Sequence, residues 1–151
     1  MPYKQPISIL LVIHTSDLQV LLLERCDFAG AWQSVTGSCE AGESLIDTAR
    51  RELFEETGLV VSTKQIVDWQ YSSDFEIFER WRHRYAPGVT HNTEHVFSVQ
   101  VPADSVITIA PREHTQYCWA SIDEAVTRVF SPSNADALRQ LSLKLQSLQS
   151  I

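Results

Sequence analysis

Residues 37–59 read GSCEAGESLIDTARRELFEETGL, and three carboxylates, Glu52, Glu55 and Glu56, crowd into five positions near the end of this stretch. At about 100° per residue, a helix puts positions i, i+3 and i+4 on one face, so the three acids share a side and repel one another. Gly58 follows as a natural C-cap. It sets the acids in the last turn, where the negative end of the macrodipole adds a penalty of roughly 0.3–1 kcal/mol for each. A helix loaded in this way requires a positive counterpart. Its start is equally legible: Ser44-Leu45-Ile46-Asp47 has the shape of a capping box, with the shorter Asp47 in place of the usual glutamate. Leu45, Ile46, Ala49 and Leu53 form an apolar stripe suited to packing on a sheet, and the carboxylates lie off that stripe.

Outward from this helix, the leucine-rich and β-branched runs 7–13 and 18–25, separated by TSD at 15–17, predict two strands joined as a hairpin. Residues 26–43 hold three glycines and little periodicity, and read mostly as loop. The segments 65–71, 74–85 and 93–101 predict further strands, with APGVTHN at 86–92 as a turn. ERWRHRY alternates, so as a strand it would place Trp81, His83 and Tyr85 on one face and Arg80, Arg82 and Arg84 on the other. A second capping box, Ser121 to Glu124, opens a helix at 121–129. Leu138, Leu141, Leu145 and Leu148 mark a final amphipathic helix. Strands mixed with three helices predict a single α/β domain over 1–151.

The 151 residues can bury a full core without disulfides or a structural metal. Nineteen acidic against twelve basic residues leave a formal charge of −7. That balance argues against a nucleic-acid backbone or an anionic membrane as partner and favours a cation. Cys26, Cys39 and Cys118 are odd in number and lack C-x-x-C spacing, which suits neither a disulfide framework nor a zinc site and points to a reducing, cytoplasmic setting. The apolar run ISILLVI at 7–13 is too short to span a bilayer and reads as a buried strand.

Taken as a spacing, Gly37, five residues, Glu43, seven residues, then Arg51-Glu52-Leu53-Phe54-Glu55-Glu56-Thr57-Gly58-Leu59 resembles the signature box of the Nudix hydrolases at every specified position. The resemblance implies a Nudix-type α/β/α sandwich with a mixed β-sheet, and a Mg²⁺-dependent diphosphatase in which Mn²⁺ can substitute. The residues suit that chemistry on their own terms. Clustered carboxylates are the hard oxygen ligands that Mg²⁺ takes, and bound cations would offset their repulsion while neutralising a pyrophosphate. Glu52 and Glu56 are expected as the main metal ligands, Glu55 as a further ligand or base, and the Gly37 carbonyl as an additional ligand. Arg51, four residues before Glu55, can orient a carboxylate, and Glu43 can brace the loop from the other side.

The family's usual Pro-Gly-Gly is Thr36-Gly37-Ser38 here. WQSVTGS, FEIF, HRYAPGVT, NTE and REH before Trp119 resemble instead a branch of the family that acts on pterin triphosphates. That resemblance implies water attack at the α-phosphorus with release of pyrophosphate, and Glu113 as the downstream carboxylate. The expected partner is a small-molecule pterin or nucleoside triphosphate, with no nucleic acid, membrane or obligate protein partner. Arg25 and Lys4 are expected on the phosphates. Phe75, Ile77 and Phe78 would enclose a flat ring, Glu76 would accept from its amino-pyrimidine edge, and Thr36 would add a hydroxyl contact. Two other readings stay open: a diphosphatase for dATP, other dNTPs or oxidised dGTP, and a ligand-sensing module without turnover.

Overall fold

A computed structural model describes residues 3–149, with side chains described to residue 145, so the expectation placed on Leu148 lies outside the described residues. In chain order the elements are β1 (Ile7–His14), β2 (Gln19–Arg25), β3 (Trp32–Gln33), β4 (Val35–Ser38), α1 (Leu45–Thr57), β5 (Ile66–Glu76), β6 (His91–Gln100), β7 (His114–Ser121), α2 (Ile122–Arg128) and α3 (Pro132–Gln149). Short 3₁₀ turns at Thr63–Gln65 and Glu79–Arg84 interrupt the connections. The sheet runs β3-β2-β1-β6-β5, with β4 also on β1 and β7 on β2. It is mixed, because β1 and β6 are parallel while the other pairs are antiparallel.

The unbroken apolar run of β1 follows from burial on both faces. Ile9, Leu11 and Ile13 point toward α1, where they meet Ala49 and Leu53; Leu10 and Val12 point the other way, toward Ala125, Leu138 and Leu141. Each such leucine, fully removed from water, contributes about 1.5–3 kcal/mol. Half of each capping box forms: Ser44 Oγ accepts from the Asp47 N–H at 3.3 Å and Ser121 Oγ from the Glu124 N–H at 3.2 Å, with no return bond from the Asp47 or Glu124 side chain among the described residues. Gly58 closes α1 in the left-handed region, φ 78°, and donates its N–H to the Phe54 carbonyl.

Two expectations need correction, and one needs an addition. The segment 74–85 is not a strand: β5 ends at Glu76, and residues 79–84 wind into a 3₁₀ turn. The alternation of ERWRHRY yields to aromatic packing, since Trp81 lies 5.3 Å from Phe78 and 6.1 Å from Phe130 between ring centroids, which no extended chain could satisfy. The three arginines therefore diverge, Arg80 over the Phe28 ring, Arg82 to Glu76, and Arg84 to Asp27. The region 26–43 is mostly loop, as expected, but it also holds the short β3 and β4, and β4 pairs with Ser8–Leu11 of β1, a long-range ladder without a local signal. The hairpin holds only near its turn, at His14↔Val20; beyond that, β2 leaves β1 and pairs with β7, a strand that the periodicity did not announce.

Candidate active site

The positive counterpart demanded by the acidic helix lies within it. Arg51 donates from Nε and Nη2 to the two oxygens of Glu43 at 2.8 and 2.9 Å, from Nη1 to Glu52 at 2.6 Å and Glu55 at 3.2 Å, and from Nη2 to the Ser38 carbonyl at 3.1 Å. One guanidinium thereby ties β4, the loop and α1 together, with the bidentate fork that lysine could not supply. It holds the Glu43 carboxyl down at about 2. Thr48 Oγ1 adds a further bond to Glu43 at 2.7 Å.

Arg51 does not reach Glu56. That side chain is 1% exposed, and neither carboxylate oxygen has a hydrogen-bond partner among the described residues. Burial, reinforced by the adjacent Glu52 and then by Glu113, pushes Glu56 well above the usual carboxylate range, with Arg25 opposing. Glu52 is also raised, mainly by burial, despite the pull of Arg51. Gly37 completes this side, for a Cβ there would overlap the Glu52 carboxylate. Glu113 arrives on the loop before β7, fixed by its carbonyl accepting from the Cys26 N–H at 2.9 Å, immediately after β2.

Ligand atoms of Glu56, Glu113 and His114 fall within 4.8 Å of one another. An oxygen-rich cluster with an orphaned, buried carboxylate fits a divalent cation, because a bound cation would meet the desolvation penalty that Arg25 offsets only in part.

Beside the acids stands a basic group. Arg25, at the end of β2, is forked onto Asp27 by two bonds of 2.7 Å, reaches Gln33 at 3.3 Å, and lies 4.3 Å above the Trp81 ring. Asp27 is held at about 2 by this pairing. Lys4 is drawn into the same field: its pKa is lowered, first by burial and then by Arg84, while Glu52 and Glu113 pull the other way. Anions of a substrate would thus meet Arg25 and Lys4 on one side and the carboxylate cluster on the other.

The chain matches the family model described as NUDIX domain over residues 4–141. It belongs to the NUDIX family. It is 44% identical over 141 residues to the dihydroneopterin triphosphate diphosphatase of Escherichia coli K12, covering 91% of this chain and 93% of that relative. It is 40% identical over 149 residues to the enzyme of the same name from Haemophilus influenzae, covering 97% and 93%. The solved structure of the E. coli dihydroneopterin triphosphate pyrophosphohydrolase superposes with a TM-score of 0.86 at 43% identity, over 93% of this chain and 97% of that one. The NUDIX fold, a mixed sheet flanked by helices, is the architecture described above.

Within this NUDIX frame the expected residues do not all gather. Glu56 and Glu113 come together with His114, and Glu52 lies beside Glu56 and against Gly37, whereas Glu55 is exposed and bonded to Arg51. Thr36, on β4, points to the opposite sheet face from Val35, 3.5 Å from Gln33 Nε2. Phe75 and Phe78 are exposed, and Ile77 is buried. Glu76 is exposed and paired with Arg82 at 3.2 Å. Sequence reasoning missed Gln33, Asp27 and His114. His114 is buried with its Nε2 3.5 Å from Glu56, and burial, helped by Arg25, lowers its pKa to about 4, so the imidazole is neutral at pH 7. Its place directly after Glu113 was the available signal.

Proposed function

We propose that this chain is a Mg²⁺-dependent diphosphatase that hydrolyses dihydroneopterin triphosphate to dihydroneopterin monophosphate and pyrophosphate, a cytoplasmic step in folate biosynthesis. The similarity to two bacterial enzymes of that name, over more than nine tenths of the chain, carries the choice of substrate. The orphaned Glu56 carboxylate carries the choice of chemistry. NUDIX hydrolases in general work with divalent metals.

Glu52, Glu56 and Glu113 would hold the cation, with the Gly37 carbonyl as a further oxygen. Mg²⁺ supplies charge neutralisation of the polyphosphate and a lowered pKa for attacking water. The chain's own groups do the rest. Arg51 keeps Glu52 in one rotamer, which preserves the spacing that a phosphoryl reaction depends on. Arg25, already oriented by Asp27, and Lys4 offer cationic donors to nonbridging phosphate oxygens. Glu113, which is exposed, would orient water. The three free cysteines suit a reducing compartment, and among the described residues no helix is long and apolar enough to cross a membrane.

The deciding assay is pyrophosphate release on adding Mg²⁺, with kcat/KM compared across dihydroneopterin triphosphate, dATP and dGTP. A clear preference for dihydroneopterin triphosphate is expected. A preference for dATP would overturn the reading, and no release from any of them would remove the enzyme.

A further inference from the structure

On the face of the sheet that α3 covers, a row of polar side chains crosses four strands. The register sets Ser73 of β5 opposite Glu94 of β6, Glu94 beside Ser8 of β1, and Ser8 opposite Ser38 of β4. Two residues before Glu94 on the same face of β6 stands Asn92, whose cross-strand neighbour is the exposed Phe75. Buried polar groups in such a place should be fully paired. These are not.

Glu94 is 5% exposed, and its Oε1 accepts from Ser133 Oγ at 2.9 Å near the start of α3, while its Oε2 has no partner among the described residues. Asn92 is 2% exposed; its Nδ2 donates to Ser8 Oγ at 2.7 Å, and its Oδ1 is buried with no partner. Whichever way round the amide is set, one end is spent on Ser8 and the other is left unmatched. An acceptor left without a partner at this depth burdens the fold. Two strand spacings, roughly 10 Å, separate Glu94 from β4, the strand that carries Gly37. Gly37 turns toward Glu52 of α1 and Glu94 toward α3, so a ring held at Glu94 would reach the metal cluster through a flexible linker, which the short carbon chain between a bicyclic ring and its phosphates supplies. Phe75, opposite Asn92, and Phe78, packed on Trp81 and Phe130, offer aromatic surface for a ring.

We infer that Glu94, assisted by Asn92, reads the substrate's ring, its free carboxylate oxygen and the Asn92 amide accepting from the neighbouring N–H and NH₂ donors of an amino-pyrimidinone. That edge is shared by pterins and guanine. Adenine presents a ring-nitrogen acceptor beside its amino group, which a carboxylate meets with a repelling lone pair. Glu76, paired with Arg82 on the exposed side of β5, is not the reader. This assignment rests on the diphosphatase reading above and names its specificity-determining residue.

The test is Glu94→Gln, which keeps the size of the side chain and an oxygen for Ser133 while replacing a pure acceptor with one donor and one acceptor. Specificity constants are measured for dihydroneopterin triphosphate, dGTP and dATP. Neopterin itself, without phosphates or metal, is titrated into each protein by fluorescence quenching. The preference for the pterin and for dGTP over dATP should fall about tenfold or more, and neopterin affinity by a similar factor, as expected for one charge-assisted bond. A general loosening of the fold would lower all three substrates together and leave the ratios in place. Glu94→Asp, which withdraws the carboxylate by one carbon, should weaken neopterin binding yet keep the order of substrates. Ratios unchanged in Glu94→Gln, or neopterin bound equally by all three proteins, overturn the assignment. If the wild type ignored dihydroneopterin triphosphate while the dGTP to dATP ratio still collapsed in Glu94→Gln, the substrate reading would fall and Glu94 would stand.

Discussion

Glu56→Gln probes the central physical claim, that a buried carboxylate without a protein partner is kept for a cation. In the metal-free protein both Glu56 oxygens lack partners and the carboxyl is raised well above its usual range, mainly by burial. A carboxyl raised on folding costs nothing below the unfolded value of 4.5. As pH climbs from there through the folded value, the unfolded state releases its proton first and stability declines. Glutamine does not ionise, so the variant should lack that decline. With an uncompensated buried group costing about 1–3 kcal/mol, the metal-free variant should be the more stable at pH 8. At about 2–4 °C per kcal/mol for a chain of this size, the melting point should rise by roughly 2–12 °C. The catalytic effect has the opposite sign: turnover in saturating Mg²⁺ should drop about a hundredfold or more, equivalent to about 2.7 kcal/mol of barrier. Thermal melts from pH 5 to 9, with and without Mg²⁺, and initial rates check both halves. Unchanged turnover together with an unchanged pH slope of stability would refute the reasoning.

Arg51→Ala should cost about 2–4 kcal/mol in urea unfolding, because Glu43 and Glu52 lose their charged donor inside the loop. The same variant should lose an acid transition: Glu43, depressed from 4.5 to about 2, contributes stability that is full above 4.5 and fades as pH falls toward 2. Gly37→Ala drives a methyl into Glu52 and should weaken Mn²⁺ binding by about tenfold, roughly 1.4 kcal/mol, readable by calorimetry without substrate. Arg25→Lys cannot keep the fork on Asp27 while reaching phosphate, so KM for the triphosphate should rise about tenfold or more with the fold unchanged by circular dichroism.

Much of this could be read before any coordinates. Helix α1 was legible from cap to cap because its signals are local: Ser44 before the apolar stripe, Gly58 after it, and a period that separates Leu53 from the acids. Its repulsive charge pattern pointed to a cation for the same reason, since spacing along one helix fixes which side chains meet. The 3₁₀ turn at 79–84 was not legible. The alternation of ERWRHRY is as good a strand pattern as that of β6, and only the Phe78, Trp81 and Phe130 cluster, drawn from distant parts of the chain, decides against it. Strands β4 and β7 escaped notice for a related reason, because a two-to-eight residue strand gains its hydrogen bonds from a partner that sequence spacing does not name.

The sequence by itself therefore determined the acidic helix, its ends and the class of chemistry, all consequences of contacts within a few residues. Tertiary structure alone decided which acid is buried without a partner and that His114 stands beside it. It also decided that Asn92 and Glu94 line a face shared with Ser8, Ser38 and Phe75. Depth and cross-strand register are properties of the assembled sheet, and no local pattern encodes them.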